Sequence, residues 1–168
     1  MSDERFDKAF ALTLGEEGGY SNTPGDRGGI TYRGVTQIRF REYLKSKGQD
    51  DRDVITMTAA ELRDLAFTGY WQASHADSLM SPLDCLQFDA AFNSGPNTAI
   101  RLLQQACGAE VDGVWGAETI GKCNTATLDS YLAARLAFYQ KIVHDDPSQL
   151  KFLPDWTRRL DDLRKALT

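Results

Sequence analysis

The sequence predicts a mainly α protein with one small β element, and three observations carry that reading. Apolar residues recur at helical spacing along most of the chain. The breaks between these stripes are short and rich in Gly, Pro, Asn and Asp, the residues of turns. One interval, residues 18–35, loses the helical period and holds Gly18-Gly19, Gly28-Gly29 and a short Ile30-Thr31-Tyr32-Arg33 run.

Taken in order, residues 3–17 read as a helix whose stripe is Phe6, Phe10, Thr13, Leu14 and Glu17. Glu16 is rotated about 100° from that stripe, and Gly18-Gly19 supplies the stop. Asn22-Thr23-Pro24-Gly25-Asp26 is a turn, and the run at 30–33 forms part of a two- or three-stranded antiparallel ribbon. Helical spacing returns from Thr36 to about Lys47. Thr58-Ala59-Ala60-Glu61 then has the form of a capping box. Trp71, after Gly69-Tyr70, fills the core or floors a cleft. Ser81-Pro82 opens a helix that runs to Asn93-Ser94-Gly95-Pro96, and another spans Asn97 to Cys107 with Gly108 as its stop. A tight turn at Asp112-Gly113-Val114-Trp115-Gly116 precedes a short helix from Ala117 to Lys122. A long amphipathic segment from Thr127 to His144 follows, and a last helix lies beyond Asp146-Pro147.

Composition narrows the function. A net charge of −5 argues against a nucleic-acid partner, which calls for a basic face. Cys85, Cys107 and Cys123 are too far apart for a disulfide framework or a zinc site and read as small buried thiols. His75 and His144 belong to no metal-binding motif, so neither metal nor cofactor is expected. The charged start Met1-Ser2-Asp3-Glu4-Arg5 is not a signal peptide, and no stretch is apolar enough to insert into a membrane. Synthesis in the cytoplasm without a leader is expected, with release by other means if the protein works outside.

The chemistry concentrates around Glu17. In the last turn of the predicted helix it sits at the negative end of the dipole, and burial adds to that effect. Both favour a retained proton, as a general acid requires. Asp26, in a polar turn, stays ionised. A protonated carboxyl facing a second acid is the equipment of glycosidic bond cleavage, in which Asp26 supports the oxocarbenium-like centre or the water. Thr31, or alternatively Thr36, holds that water.

The string Glu17-Gly18-Gly19-Tyr20, Pro24, Asp26, Gly28-Gly29, Thr31 and Gly34-Val35-Thr36 resembles the signature of glycoside hydrolase family 108, the N-acetylmuramidases of the lysozyme-like superfamily. The resemblance implies a lysozyme-like two-lobed fold, Glu17 as catalytic acid and Tyr20 among the substrate contacts. The second half resembles the predicted peptidoglycan-binding domain that follows such regions, through Asp89, Asn93-Ser94-Gly95-Pro96, Ala99, Leu103-Gln104, Asp112-Gly113, Gly116, Thr119, Arg135, Tyr139, Trp156 and Arg159. Asn93 and Gln104 are candidates for sugar contact or for buried hydrogen bonding. Two positions depart from the pattern: Arg33 stands where relatives often carry an aromatic, and Asp155 where Gly is common.

The implied organisation is a catalytic region at 1–86 and a helical peptidoglycan-binding-like region at 87–168, packed as one unit. The implied function is cleavage of the β-1,4 bond between N-acetylmuramic acid and N-acetylglucosamine by a monomer acting on peptidoglycan glycan strands. The setting is that of a phage or prophage endolysin released by a holin. A lytic transglycosylase, a secretion-associated muramidase and a non-catalytic wall-binding protein are the alternatives.

Overall fold

The computed structural model describes residues 4–15, 20–21 and 31–168. The described residues include eight α-helices and a three-stranded ribbon, joined by short 3-10 and π turns: α1 Glu4–Leu14, β1 Tyr20–Ser21, β2 Thr31–Tyr32, β3 Val35–Thr36, α2 Gln37–Ser46, α3 Ala59–Ala66, α4 Leu83–Ser94, α5 Pro96–Cys107, α6 Ala117–Lys122, α7 Leu128–Asp145 and α8 Leu153–Leu167. Fold class is as expected, mainly α and lysozyme-like.

Helix α4 organises the molecule. Its apolar residues Leu83, Cys85, Leu86, Phe88, Ala90, Ala91 and Phe92 fall on all sides, which suits a helix enclosed by others rather than one with a wet face. Every residue from Leu83 to Ala91 is buried, and α1, α5, α7 and the turn of π-helix at Phe67–Gln72 pack around it. Phe88 of α4, Phe6 of α1 and Trp71 meet edge to face, with ring centroids 5.6 to 6.0 Å apart. Trp71 is fully buried, so it belongs to the core and not to a cleft floor. Burying each such ring contributes about 1.5–3 kcal/mol. The division at 86/87 falls inside α4. A domain boundary belongs in an exposed linker, so the two regions share this helix.

Local signals set most of the other ends. Thr58 and Glu61 cap α3 reciprocally, and Thr36 caps α2 by accepting the Arg39 N–H at 3.2 Å. Gly95 (φ +88°) turns α4 into α5, and Gly108 (φ +69°) closes α5. The three cysteine thiols are buried. Among the described residues no helix is long and apolar enough to cross a membrane.

The ribbon is antiparallel with β2 in the middle. Tyr20 pairs with Tyr32 and Ser21 with Thr31, and then Thr31 pairs with Thr36 and Tyr32 with Val35. The β2–β3 connection is the two-residue turn Arg33-Gly34, with φ +49° and +77°, the left-handed pair that matches strand twist. Gly34 is required twice over. Its φ favours glycine, and a Cβ there would come within 2.5 Å of Phe92 Cε1 on α4.

Helix α1 stops earlier than expected. Gly15, at φ +55°, donates its N–H to Ala11 O at 3.0 Å and ends the helix after Leu14. The expected helix to residue 17 is therefore shorter by three residues, ending at Leu14. Glu17 and Asp26 themselves lie outside the described residues.

Candidate active site

The end of α1, the tip of the ribbon, the C-terminal half of α4 and the first turns of α8 surround a cleft of about 670 Å³. Leu12 to Gly15 come from α1 and the chain just past it, Arg33 and Gly34 from the hairpin, Asp89, Phe92 and Asn93 from α4, and Trp156 and Arg159 from α8. Glu17 follows two residues after Gly15.

Under the cleft floor lies a buried ion cluster. Asp89 and Arg135 have no exposed side-chain surface and form an ion pair. Arg159, about one-third exposed, pairs with the same carboxylate, its Nε 3.1 Å from each oxygen. Arg159 also donates from Nη2 to Thr13 O at 2.9 Å, and so ties α8 to the last turn of α1. Arg135 Nε donates to the Tyr139 hydroxyl at 2.9 Å, and Trp156 stacks on Tyr139 with ring centroids 5.0 Å apart. Burial pushes the Asp89 carboxyl up, but the Arg135 and Arg159 guanidiniums outweigh it and hold it below the usual carboxylate range. Burial pushes Arg135 down, and Asp89 and Tyr139 more than reverse that, so its charge is secure.

The expected site residues fall into different places. Thr31 and Thr36 are directly opposite on adjacent strands, both half-buried. Opposed residues project from the same face of a ribbon, so the two threonines are neighbours rather than rivals. The Thr36 oxygen already accepts the α2 cap bond. Tyr20 belongs to β1, paired with Tyr32. Asn93 is exposed on the cleft wall, where its Nδ2 donates to Asp89 O at 2.7 Å.

Gln104 corrects an expectation. It is fully buried, with Nε2 facing Asp112 Oδ1 at 2.7 Å, Thr119 Oγ1 at 2.9 Å and Val114 O at 3.0 Å, and Oε1 accepting the Gly113 N–H at 2.8 Å. A side chain whose groups are committed in this way braces the 112–119 turn and has no surface to offer a sugar. The Asp89–Arg135–Arg159 convergence is the reverse case. Each residue is visible in the sequence as part of a resemblance, but not as a member of one cluster. The available signal was Asp89 itself, one of two acids on a helix hemmed in by apolar residues, since a buried carboxylate demands a cation.

A mainly α fold with a ribbon-walled cleft is of the lysozyme-like class. Residues 10–95, just over half of the chain, match the family model described as glycosyl hydrolase 108. The chain belongs to that family, and is a glycoside hydrolase of the peptidoglycan-cleaving, muramidase class. The solved structure of SagA from Brucella abortus is similar, with a TM-score of 0.81 at 26% sequence identity. The match covers 99% of this chain and 95% of that one. No curated protein sequence matches the chain.

Proposed function

We propose that this chain hydrolyses the β-1,4 bond between N-acetylmuramic acid and N-acetylglucosamine, with Glu17 protonating the leaving oxygen. The observation that carries the reading is the cleft between the end of α1 and the ribbon tip, bordered by Leu12 to Gly15, with Glu17 two residues further along the sequence. Asp26 supports the oxocarbenium-like centre or the water, and Thr31 orients that water with Thr36 beside it. Tyr20 and Asn93 contact the glycan strand. The region 87–168 holds peptidoglycan as the α8 wall of this same cleft, in a protein that acts as a monomer. A phage or prophage endolysin, made in the cytoplasm and released through the inner membrane by a holin, is the setting that fits.

Glu17→Gln keeps the shape and removes the proton donor. Clearing of cell-wall suspensions is expected to fall about 10²–10⁴-fold, the usual contribution of general acid catalysis. Clearing at the parent rate would overturn the assignment. Mass spectrometry of the released sugars is expected to show a reducing end gained with water. A 1,6-anhydro end would make the enzyme a lytic transglycosylase instead.

A further inference from the structure

Arg33 stands apart from the other arginines. Every other described arginine donates a hydrogen bond to a carboxylate, a carbonyl or a side-chain oxygen: Arg39 to Glu42, Arg101 to Asp112 O, Arg158 to Asp155, and the rest likewise. Arg33 makes no such bond among the described residues. Its guanidinium lies over the Tyr32 ring, 5.4 Å from the centroid, and its five N–H donors make no hydrogen bond among the described residues.

Its backbone is also costly. Arg33 holds φ +49° at the first position of a turn that Asn, Asp or Gly fills with less strain. A strained non-glycine residue at a cleft points to use of its side chain rather than to turn formation. The turn is located by the close approach of Gly34 to Phe92.

The carboxylates lining the cleft are already committed. Asp89 is shared by Arg135 and Arg159, Asp155 pairs with Arg158, and Asp162 lies 3.6 Å from Lys165. The cleft therefore presents a fixed cation whose counter-charge the described residues do not supply, on a chain whose net charge is −5.

We propose that Arg33 is a carboxylate-recognition residue: its guanidinium receives an anionic group of the glycan strand and separates carboxylated from neutral substrate. The proposal rests on the muramidase reading of this cleft. Peptidoglycan offers two sources of that chemistry, the carboxylates of its stem peptides and, where peptides have been removed, the lactyl carboxylate of the muramic sugar. A planar guanidinium accepts either through paired N–H···O bonds.

Arg33→Asn tests this cleanly, since it removes the cation while giving the turn a residue it prefers. Binding of soluble labelled glycan strands is measured by fluorescence anisotropy in a Glu17→Gln background. Three forms are compared: strands with stem peptides, strands stripped of peptides, and stripped strands with carboxylates converted to amides. Arg33→Asn is expected to unfold no earlier than its parent and to bind carboxylated strands about tenfold more weakly. It should bind amidated strands equally well and show a shallower salt dependence. Arg33→Lys is expected to recover part of the loss.

A loss confined to peptide-bearing strands assigns the anion to the stem peptides; a loss on stripped strands assigns it to the lactyl group. Equal binding of all three forms by Arg33→Asn and its parent overturns the proposal, as does an equal loss on amidated strands or a parent that binds none of them. Parent-rate turnover by Glu17→Gln would sink the catalytic reading alone, and the binding comparison would then be read from the initial anisotropy, before strands are cleaved.

Discussion

The two walls of the cleft are built on opposite principles. The α8 wall is held from beneath by charge: Arg159 reaches Asp89 on α4 and Thr13 O on α1, and Trp156 rests on Tyr139 of α7. The ribbon wall has strands of two residues each and is seated on α4 where the glycine at its tip meets Phe92. A short ribbon cannot bury enough surface to be stable alone. Its position is borrowed from the helix it touches, whereas the α8 wall is part of the core through Leu160 and Leu163. The rigid wall suits the passive task of shaping the cleft, and the lightly seated wall carries Thr31, Thr36 and Arg33.

That contrast can be broken at either end. Asp89→Ala should have the largest effect, because it leaves Arg135 charged, buried and without its carboxylate. Removing one partner of such a pair costs about 3–5 kcal/mol, measurable as a shift in the urea midpoint. Loss of less than about 1 kcal/mol would mean the cluster is not what anchors the α8 wall.

Gly34→Ala should act on the other wall. The added methyl meets Phe92 and the residue must keep φ +77°, for a cost of about 1–3 kcal/mol. Activity is expected to fall further than global stability, since the ribbon lifts while the helices stay packed. Equal losses in both would show the ribbon to be as integral as α8.

The smallest effect is in acid. Asp89 has a folded pKa held below its unfolded value of about 3.9. A depressed carboxylate gives stability that is fully present above the unfolded pKa and lost as pH falls through the folded one. Urea midpoints of the parent should therefore drop below about pH 4 more steeply than those of Asp89→Asn, which has no proton to gain at that position. Parallel curves would remove Asp89 from the acid limb.

Much of the frame was readable because its signals are local. The Thr58–Glu61 box, the stop at Gly108 and the helix from Ala117 to Lys122 each depend on residues within a turn of one another. The end of α1 was local too, yet Gly15 and Gly18 offer the same stop. The apolar stripe, continued to Glu17, favoured the later one, and the chain uses the earlier. Gln104 was ambiguous for another reason. An amide on a helix can face a sugar or a loop, and its sequence neighbours do not distinguish the two.

By itself the sequence determined the mainly α class, the ribbon near residues 31–36, the helix caps and the family signature around Glu17, all set by spacing within one or two turns. Only the tertiary structure decided that Trp71 is core, that α4 is shared by both regions, and that Asp89 meets Arg135 and Arg159 across separations of 46 and 70 residues. It also decided that Arg33 lines the cleft without an ion pair among the described residues. The reason is physical: a cap or a turn satisfies groups within reach of the local chain, whereas a buried charge is satisfied by whatever helix the whole fold brings against it.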